Sequence, residues 1–255
     1  MTRMSLTRRD FVSATTLAVI AGGTAARALD IGATATGRSP QSWRIGLVQS
    51  APWDVDASRL YEDTARNLER MLETIARAGP DCDWLAFNDC PLTGRSTSLM
   101  PSAAQIERLR TAARQHACAV SFGCGVDRKA VLLSADDTEV QYGPLVRLNG
   151  RRIAIVSTAQ SDADIKQAVR GGAEALLVMG SGPNVASKRI ADIASGLPRL
   201  QVNAACDSHV PGHTADWLGG TLACDAHGVT LGEIAHANEA VLQVQLLFGV
   251  RGTEA

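Results

Sequence analysis

The chain has 255 residues, with 25 Lys and Arg against 26 Asp and Glu, so its formal net charge is −1 at neutral pH. Because the two charge signs are interspersed and form no basic stripe, the composition does not indicate nucleic-acid binding. The chain is long enough to bury a full hydrophobic core. Its six cysteines are scattered without a C-x-x-C pair, which argues against a disulfide framework.

The N-terminus has the features of an export signal. Arg8–Arg9 form a twin-arginine pattern, an uncharged stretch covers residues 11–26, and Ala26–Ala28 provides a small-residue cleavage site. This arrangement predicts a twin-arginine signal peptide over residues 1–28, and an uncleaved anchor is the alternative. We therefore expect a periplasmic or other extracytoplasmic protein, with no stable membrane span after cleavage. Residues 29–42, rich in Gly, Ala, Thr and Ser, are predicted to be a linker.

From Trp43 onward, strand-like and helix-like segments alternate, and antiparallel hairpins close the chain. An apolar stripe with a period of three to four residues predicts a long helix near its start, and Ser102 is a good N-cap for a second helix. The pattern predicts an α/β protein with helices covering a mixed sheet. The predicted helices are 57–77, 102–116, 162–170 and 187–196, and the predicted strands are 44–49, 84–87, 117–125, 129–134, 150–157, 175–179, 200–205, 220–225, 229–234 and 240–246.

One predicted strand is the main candidate for the position of a catalytic or binding site. Residues 150–160 begin with a glycine turn, continue as a short apolar run and end in small polar residues, among them Ser157 and Thr158. A continuous β-branched run is typical of a strand that is buried on both faces. Ligands and catalytic groups collect at the carboxyl ends of such strands in open α/β folds. We therefore expect any chemistry to lie at or beside Thr158.

Five local sequence motifs, in this order, resemble those of the nitrilase superfamily of carbon–nitrogen hydrolases. The motifs are Arg44–Pro52, Trp84–Arg95, Gly150–Thr158, Gly171–Leu177 and Gly219–Gly228. The resemblance implies a single nitrilase-like domain over residues 43–247, folded as a four-layer α-β-β-α sandwich with mixed sheets, and a C-terminal tail over residues 248–255. By analogy with the family, it also implies a homodimer.

The same resemblance implies a cysteine nucleophile, a glutamate base and a lysine that stabilises an oxyanion, and all three differ here. The glutamate position falls on Asp89, the cysteine position on Thr158 and the lysine position on Pro144. Only Leu145–Asn149 bridges a segment that is longer in the family. A threonine hydroxyl needs a strong, well-placed base, and loss of one oxyanion donor commonly costs about 10²–10³ in rate.

These losses predict a pseudoenzyme or non-hydrolytic binding protein, whose remnant pocket would accept a small-molecule ligand. Beside the triad positions, we expect Ser157 and Tyr142 to line that pocket. The alternative is a working amidase- or nitrilase-type hydrolase that uses Thr158 or Cys90 as nucleophile, with Asp89 as base.

A second alternative is a loop metal site. Cys206, His209 and His213 are suitable ligands for a soft or borderline metal, although Pro211 and Gly212 keep the two histidines off one helix. Polar loop residues without a metal explain the same pattern. The sequence predicts no cofactor.

Overall fold

The computed structural model describes residues 42–52, 60–94, 99–125, 129–136, 140–158, 160–180, 190, 192–205, 219–235 and 239–248. The predicted signal peptide and the metal candidates Cys206, His209 and His213 lie outside the described residues. In the part of the chain that is described, no helix is long and apolar enough to cross a membrane.

Twelve strands and three helices have defined bounds within these ranges. The helices are α1 (Leu60–Ala78), α2 (Ala103–Gln115) and α3 (Asp162–Arg170), and a 3-10 turn (Gly79–Asp81) follows α1. The strands are β1 (Ser42–Gln49), β2 (Trp84–Phe87), β3 (Ala119–Cys124), β4 (Lys129–Leu133), β5 (Val140–Tyr142), β6 (Leu145–Leu148), β7 (Arg151–Ser157), β8 (Ala175–Gly180), β9 (Arg199–Asn203), β10 (Thr221–Cys224), β11 (Thr230–Ile234) and β12 (Ala240–Leu247).

The strands form two six-stranded sheets, in the orders β12-β1-β2-β3-β4-β5 and β11-β10-β9-β8-β7-β6. In each sheet three central strands run parallel and the outer strands pair antiparallel. The predicted mixed-sheet α/β sandwich is therefore confirmed. In the second sheet, β9 and β10 pair antiparallel, with Leu222 opposite Gln201.

Three apolar clusters fill the spaces between the four layers. One lies between the two sheets and includes Trp84, Ile153 and Leu177. A second packs α1 and α2 against the outer face of the first sheet, through residues such as Met71 and Leu109. The third packs α3 against the second sheet. Burial on both faces explains why the central parallel strands have continuous apolar sequences.

Local sequence signals place the helix starts. The Ser102 hydroxyl accepts a hydrogen bond from the Gln105 backbone N–H at 3.2 Å, and the Gln105 side chain accepts one from the Ser102 N–H at 2.8 Å. This capping box confirms Ser102 as the predicted N-cap of α2. The predicted helix over residues 187–196 lies partly outside the described residues. Among the described residues of that range, 190, 192 and 193 are helical.

The connection between the two sheets contains two short strands, β5 and β6, that the sequence analysis did not predict. The sequence analysis treated Leu145–Asn149 as a shortened connection, but most of it is strand β6, which pairs antiparallel with β7. The Gln141 side chain joins β5 to β6 by two hydrogen bonds of 2.7 Å with the backbone of Arg147. Val146 and Leu148 bury their side chains between the sheets, whereas Arg147 between them is exposed.

Residues at both ends of the described chain pack together. The rings of Trp43 and Phe248 lie 4.8 Å apart in an edge-to-face arrangement. The Arg151 guanidinium lies over the Phe248 ring at 4.3 Å and pairs with Glu174 at 2.7 Å. Phe248, the first residue of the predicted tail, is therefore part of the packed structure and is only 5% exposed.

Candidate active site

The carboxyl ends of β2 and β7 bring two polar side chains together between the sheets. Asp89 lies two residues beyond β2, and Ser157 is the last residue of β7. The Ser157 hydroxyl donates a hydrogen bond to Oδ2 of Asp89 at 3.0 Å. Both residues are buried, at 1% and 0% exposure. The Asp89 carboxylate is thus held by a hydroxyl of the opposite sheet.

A third strand end completes the surroundings of Asp89. A Cβ atom added to Gly123 of β3 would lie 2.3 Å from Oδ1 of Asp89, a separation that real Cβ contacts do not show. The backbone N–H of Cys90 donates to the carbonyl of Gly123 at 3.1 Å. Glycine at position 123 therefore lets the loop after β2 lie directly against β3.

We predict that Gly123→Ala destabilises the fold by about 1–3 kcal/mol, because the added methyl group overlaps a buried carboxylate that cannot move away freely. The measurement is the free energy of unfolding in urea. Gly232→Ala is the matched control, since its Cβ would meet the movable end of the Leu242 side chain at 2.9 Å. Equal losses for the two variants would contradict the close fit at Gly123.

Cys90 occupies a strained position beside the same carboxylate. Its φ is 52°, in the left-handed region that non-glycine residues seldom adopt. Its carbonyl accepts hydrogen bonds from the N–H groups of Thr93 and Gly94, at 3.2 and 2.9 Å. Its Sγ lies 3.6 Å from Oδ1 of Asp89. The structure therefore places the predicted Cys90 and Asp89 in contact, with Cys90 buried.

Thr158 lies on the turn that follows β7 and is partly exposed. Its backbone N–H donates to the carbonyl of Met179 at 2.9 Å. Its Cγ2 methyl would lie 3.5 Å from a Cβ atom added to Gly180. The hydroxyl that donates a hydrogen bond to the Asp89 carboxylate belongs to Ser157. The sequence analysis had assigned Ser157 only to the pocket lining. The two-residue period of the strand predicts that Ser157 points between the sheets, because Ile153 and Ile155 also do so.

A second buried polar group, which the sequence analysis missed, lies at the same end of the sandwich. The Thr221 hydroxyl donates to Oε1 of Gln49 at 2.9 Å and accepts a hydrogen bond from the Asn203 N–H at 3.3 Å. The Asn203 amide donates to the carbonyl of Gly219 at 2.8 Å. Strand ends from both sheets thus make the apolar interior polar at this edge.

The position matched to the family's lysine lies in the crossing between the sheets. The carbonyl of Pro144 accepts a hydrogen bond from the Ile155 N–H at 2.8 Å, and its side chain has no charge to offer an oxyanion. The neighbouring Tyr142, predicted to line the pocket, lies on the sheet-edge strand β5 with 53% exposure. Among the residues described here, no group of three His, Cys, Asp or Glu could hold a metal ion.

Comparison with known proteins gives matches to solved structures. No family model matches the chain, and no curated protein matches it by sequence. A double mutant of the amidase from Nesterenkonia sp. AN1, in complex with acrylamide, superposes with a TM-score of 0.64 at 21% identity, over 82% of this chain and 92% of the other. A further mutant of that amidase, with the acetamide moiety of fluoroacetamide covalently added at the active site cysteine, gives a TM-score of 0.65 at 20% identity over the same shares.

Another similar structure is a mutant of the same amidase that is described as belonging to the nitrilase superfamily, with a TM-score of 0.64 at 19% identity. It also covers 82% of this chain and 92% of that chain. The three similarities each cover 82% of this chain. The chain therefore has the α-β-β-α fold of the nitrilase-superfamily amidases.

Proposed function

We propose that this protein is an exported, nitrilase-fold pseudoenzyme or binding protein that does not hydrolyse carbon–nitrogen bonds. The observation that carries the proposal is the buried contact between Asp89 and Ser157, at 3.0 Å and with almost no exposure of either residue. The amidase of similar fold takes its adduct on a cysteine, and the positions matched here to cysteine and lysine hold Thr158 and Pro144.

The chemistry of these groups supports the proposal. A hydroxyl nucleophile must lose its proton in the reaction, so it needs a base that is free to accept one. Asp89 already accepts the Ser157 hydrogen bond, and substrate has little access to a carboxylate that is 1% exposed. Without the lysine cation, a developing oxyanion would also lack a donor that is worth about 3–4 kcal/mol.

We predict that the purified mature chain releases no ammonia from acetamide or acrylamide above the rate in buffer. The assay measures ammonia over hours at high protein concentration. Asp89→Asn is the matched control, because any activity that it retains comes from a contaminating amidase. Turnover in the natural chain that Asp89→Asn abolishes would overturn the proposal.

One specific contact favours a second candidate, an amidase- or nitrilase-type hydrolase that uses Cys90. Its Sγ lies 3.6 Å from Oδ1 of Asp89, within reach for proton transfer to the carboxylate. Any turnover found in the ammonia assay should then disappear in Cys90→Ala and after alkylation with iodoacetamide. Turnover that survives both treatments but fails in Thr158→Ala would assign the reaction to Thr158.

Export and dimerisation are further parts of the proposal, supported by the twin-arginine pattern of residues 1–28 and by analogy with the nitrilase fold. A fusion of those residues to a folded reporter tests export, since Arg8→Lys combined with Arg9→Lys should keep the reporter in the cytoplasm. Sedimentation of the mature chain at several concentrations tests dimerisation.

A further inference from the structure

Two arginine side chains lie opposite each other on the outer face of the second sheet. Arg147 of β6 and Arg152 of β7 are partners in the antiparallel pairing of these strands. Their neighbours Val146 and Ile153 point between the sheets, so strand alternation places both arginines on the side that α3 covers. Arg147 is exposed and Arg152 is half-buried. Two positive charges therefore project from neighbouring strands in the same direction.

The hydrogen-bond pattern of the strands brings these two side chains close together. The backbone N–H and carbonyl of Arg147 bond the Gln141 side chain of β5, at 2.7 Å each, and so do not bond β7. Arg147 and Arg152 therefore form a non-hydrogen-bonded pair, in which the facing Cβ atoms lie about 4.5–5.5 Å apart. Like charges directly opposite each other destabilise a sheet, and an anion bound between them would remove that cost.

Neither guanidinium has an acidic partner. Within the described parts of the chain, no hydrogen bond or ion pair forms at the guanidinium of Arg147 or of Arg152. The Glu174 carboxylate lies beside β7, but it accepts hydrogen bonds from Nη1 of Arg151 at 2.7 Å and from the backbone N–H of Arg152 at 3.2 Å. Arg151 belongs to the inner face, where its guanidinium covers the Phe248 ring. The two facing guanidinium groups are therefore available to a ligand.

The end of α3 holds the Arg152 guanidinium in place. A Cβ atom added to Gly172, just after the helix, would lie 2.7 Å from Cζ of Arg152, so the guanidinium lies directly against this glycine. The partial negative charge of a helix C-terminus favours a cation there, but it amounts to only about half a charge against two arginines. The acidic residues of α3 lie in its first turn, and its last turn adds the exposed Arg170. The helix thus orients Arg152 and leaves the surface positive.

We propose that Arg147 and Arg152 form a binding site for a phosphate group, either inorganic phosphate or the phosphomonoester of a larger molecule. Guanidinium groups offer parallel pairs of N–H donors that match the oxygens of a phosphate. A phosphomonoester carries a charge of about −1.5 to −2 at neutral pH, so it matches two arginines, whereas a carboxylate matches one.

This phosphate site goes beyond the proposed function. It lies on the outer face at the start of β7, whereas Ser157 lies on the inner face at the other end of that strand. Five residues separate Arg152 from Ser157, which corresponds to about 16 Å along a strand. Phosphate binding therefore does not depend on whether the chain hydrolyses anything.

The test is an NMR titration of the mature chain at constant low ionic strength, in a buffer without phosphate, that follows the arginine Nε–H signals. The probes are inorganic phosphate, glycerol phosphate and acetate. We expect saturable shifts with both phosphates and at least about fivefold weaker binding of acetate, which carries a single charge. Tighter binding of glycerol phosphate would identify an organic phosphomonoester as the ligand, and equal binding would identify the inorganic ion. No saturable shift with either phosphate, or equal binding of acetate, would overturn the proposal.

Variants assign the binding to the two arginines. Arg147→Gln and Arg152→Gln should each weaken phosphate binding about fivefold, which corresponds to the loss of an exposed ion pair worth about 1 kcal/mol. Arg114→Gln, an exposed change on α2 over the other sheet, should leave binding unchanged. The unfolding temperature without phosphate shows that each variant folds, and Arg147→Gln should not lower it because it removes a facing like charge. Phosphate binding that both substitutions leave intact would overturn the proposal. The ammonia assay is independent of these results, so the two proposals can fail separately.

Discussion

The stability of this protein should fall steeply as the pH rises above about 9, through three buried thiols. Burial raises the pKa of Cys82 to about 11, with Arg44 partly opposing the shift. Burial, and then the neighbouring Cys82, raises the pKa of Cys118 to about 12. Burial, and then the negative Asp89, raises the pKa of Cys124 to about 11. The ordinary value for each thiol is 9.0.

The direction of the effect follows from which state binds the protons. Above pH 9 the unfolded chain loses its thiol protons while the folded chain keeps them, so the unfolded state binds fewer protons and the free energy of unfolding falls. The stabilisation is complete below pH 9 and is lost as the pH rises toward 11–12. Each thiol removes about 1.4 kcal/mol per pH unit, so the three together remove about 4 kcal/mol per unit. A domain stable by about 5–15 kcal/mol would lose much of its stability.

Urea unfolding between pH 8 and pH 10.5 measures this slope. Cys118→Ala should reduce the slope by about one third, because one of three linked protons is removed. Val120→Ala, a buried change two residues further along the chain without a titrating group, should lower the stability at pH 7 but keep the full slope. A free energy that is constant up to pH 10.5, or equal slopes for the two variants, would contradict the role assigned to the thiols.

The sequence predicted the parts of the fold that local chemistry determines. Continuous apolar runs identified the central strands β7 and β8, and Ser102 marked the start of α2. The short strands β5 and β6 escaped prediction because three or four residues carry too little periodicity, and their pairing depends on Gln141 contacting the Arg147 backbone.

Only part of the candidate site could be predicted, because some of its contacts join residues that are far apart in the sequence. Asp89 was proposed because it lies within a recognisable strand and loop motif, but the contact of Gln49 with Thr221 joins residues 172 positions apart. Such long-range pairs follow from the packing of the two sheets and leave no local pattern. The choice between Ser157 and Thr158 depended on matching a family motif, whereas the side-chain contacts follow the two-residue period of the strand.

A labelling experiment on the variants Thr158→Cys and Ser157→Cys tests which of the two positions is reactive. In a mutant of the amidase of similar fold, the acetamide moiety of fluoroacetamide is added covalently at the active site cysteine. We predict that Thr158→Cys gains about one acetamide adduct per chain, because the sequence motif assigns the family's cysteine to position 158, and this position is partly exposed. Thiolate is available near neutral pH, whereas an ionised threonine hydroxyl is not. The natural chain should gain no adduct at this position.

Ser157→Cys is the matched control, because it places the same sulfur one residue earlier, beside Asp89 at a position with no exposure. Its thiol meets a negative carboxylate in a buried site, and both features raise a thiol pKa and suppress attack. We therefore expect little labelling at position 157, as peptide mass spectrometry would show. The reverse result, with an adduct at position 157 and none at 158, would mean that the reactive position faces Asp89. The hydroxyl of Ser157 would then be the one to test for catalysis, and the non-hydrolytic proposal would lose its main support.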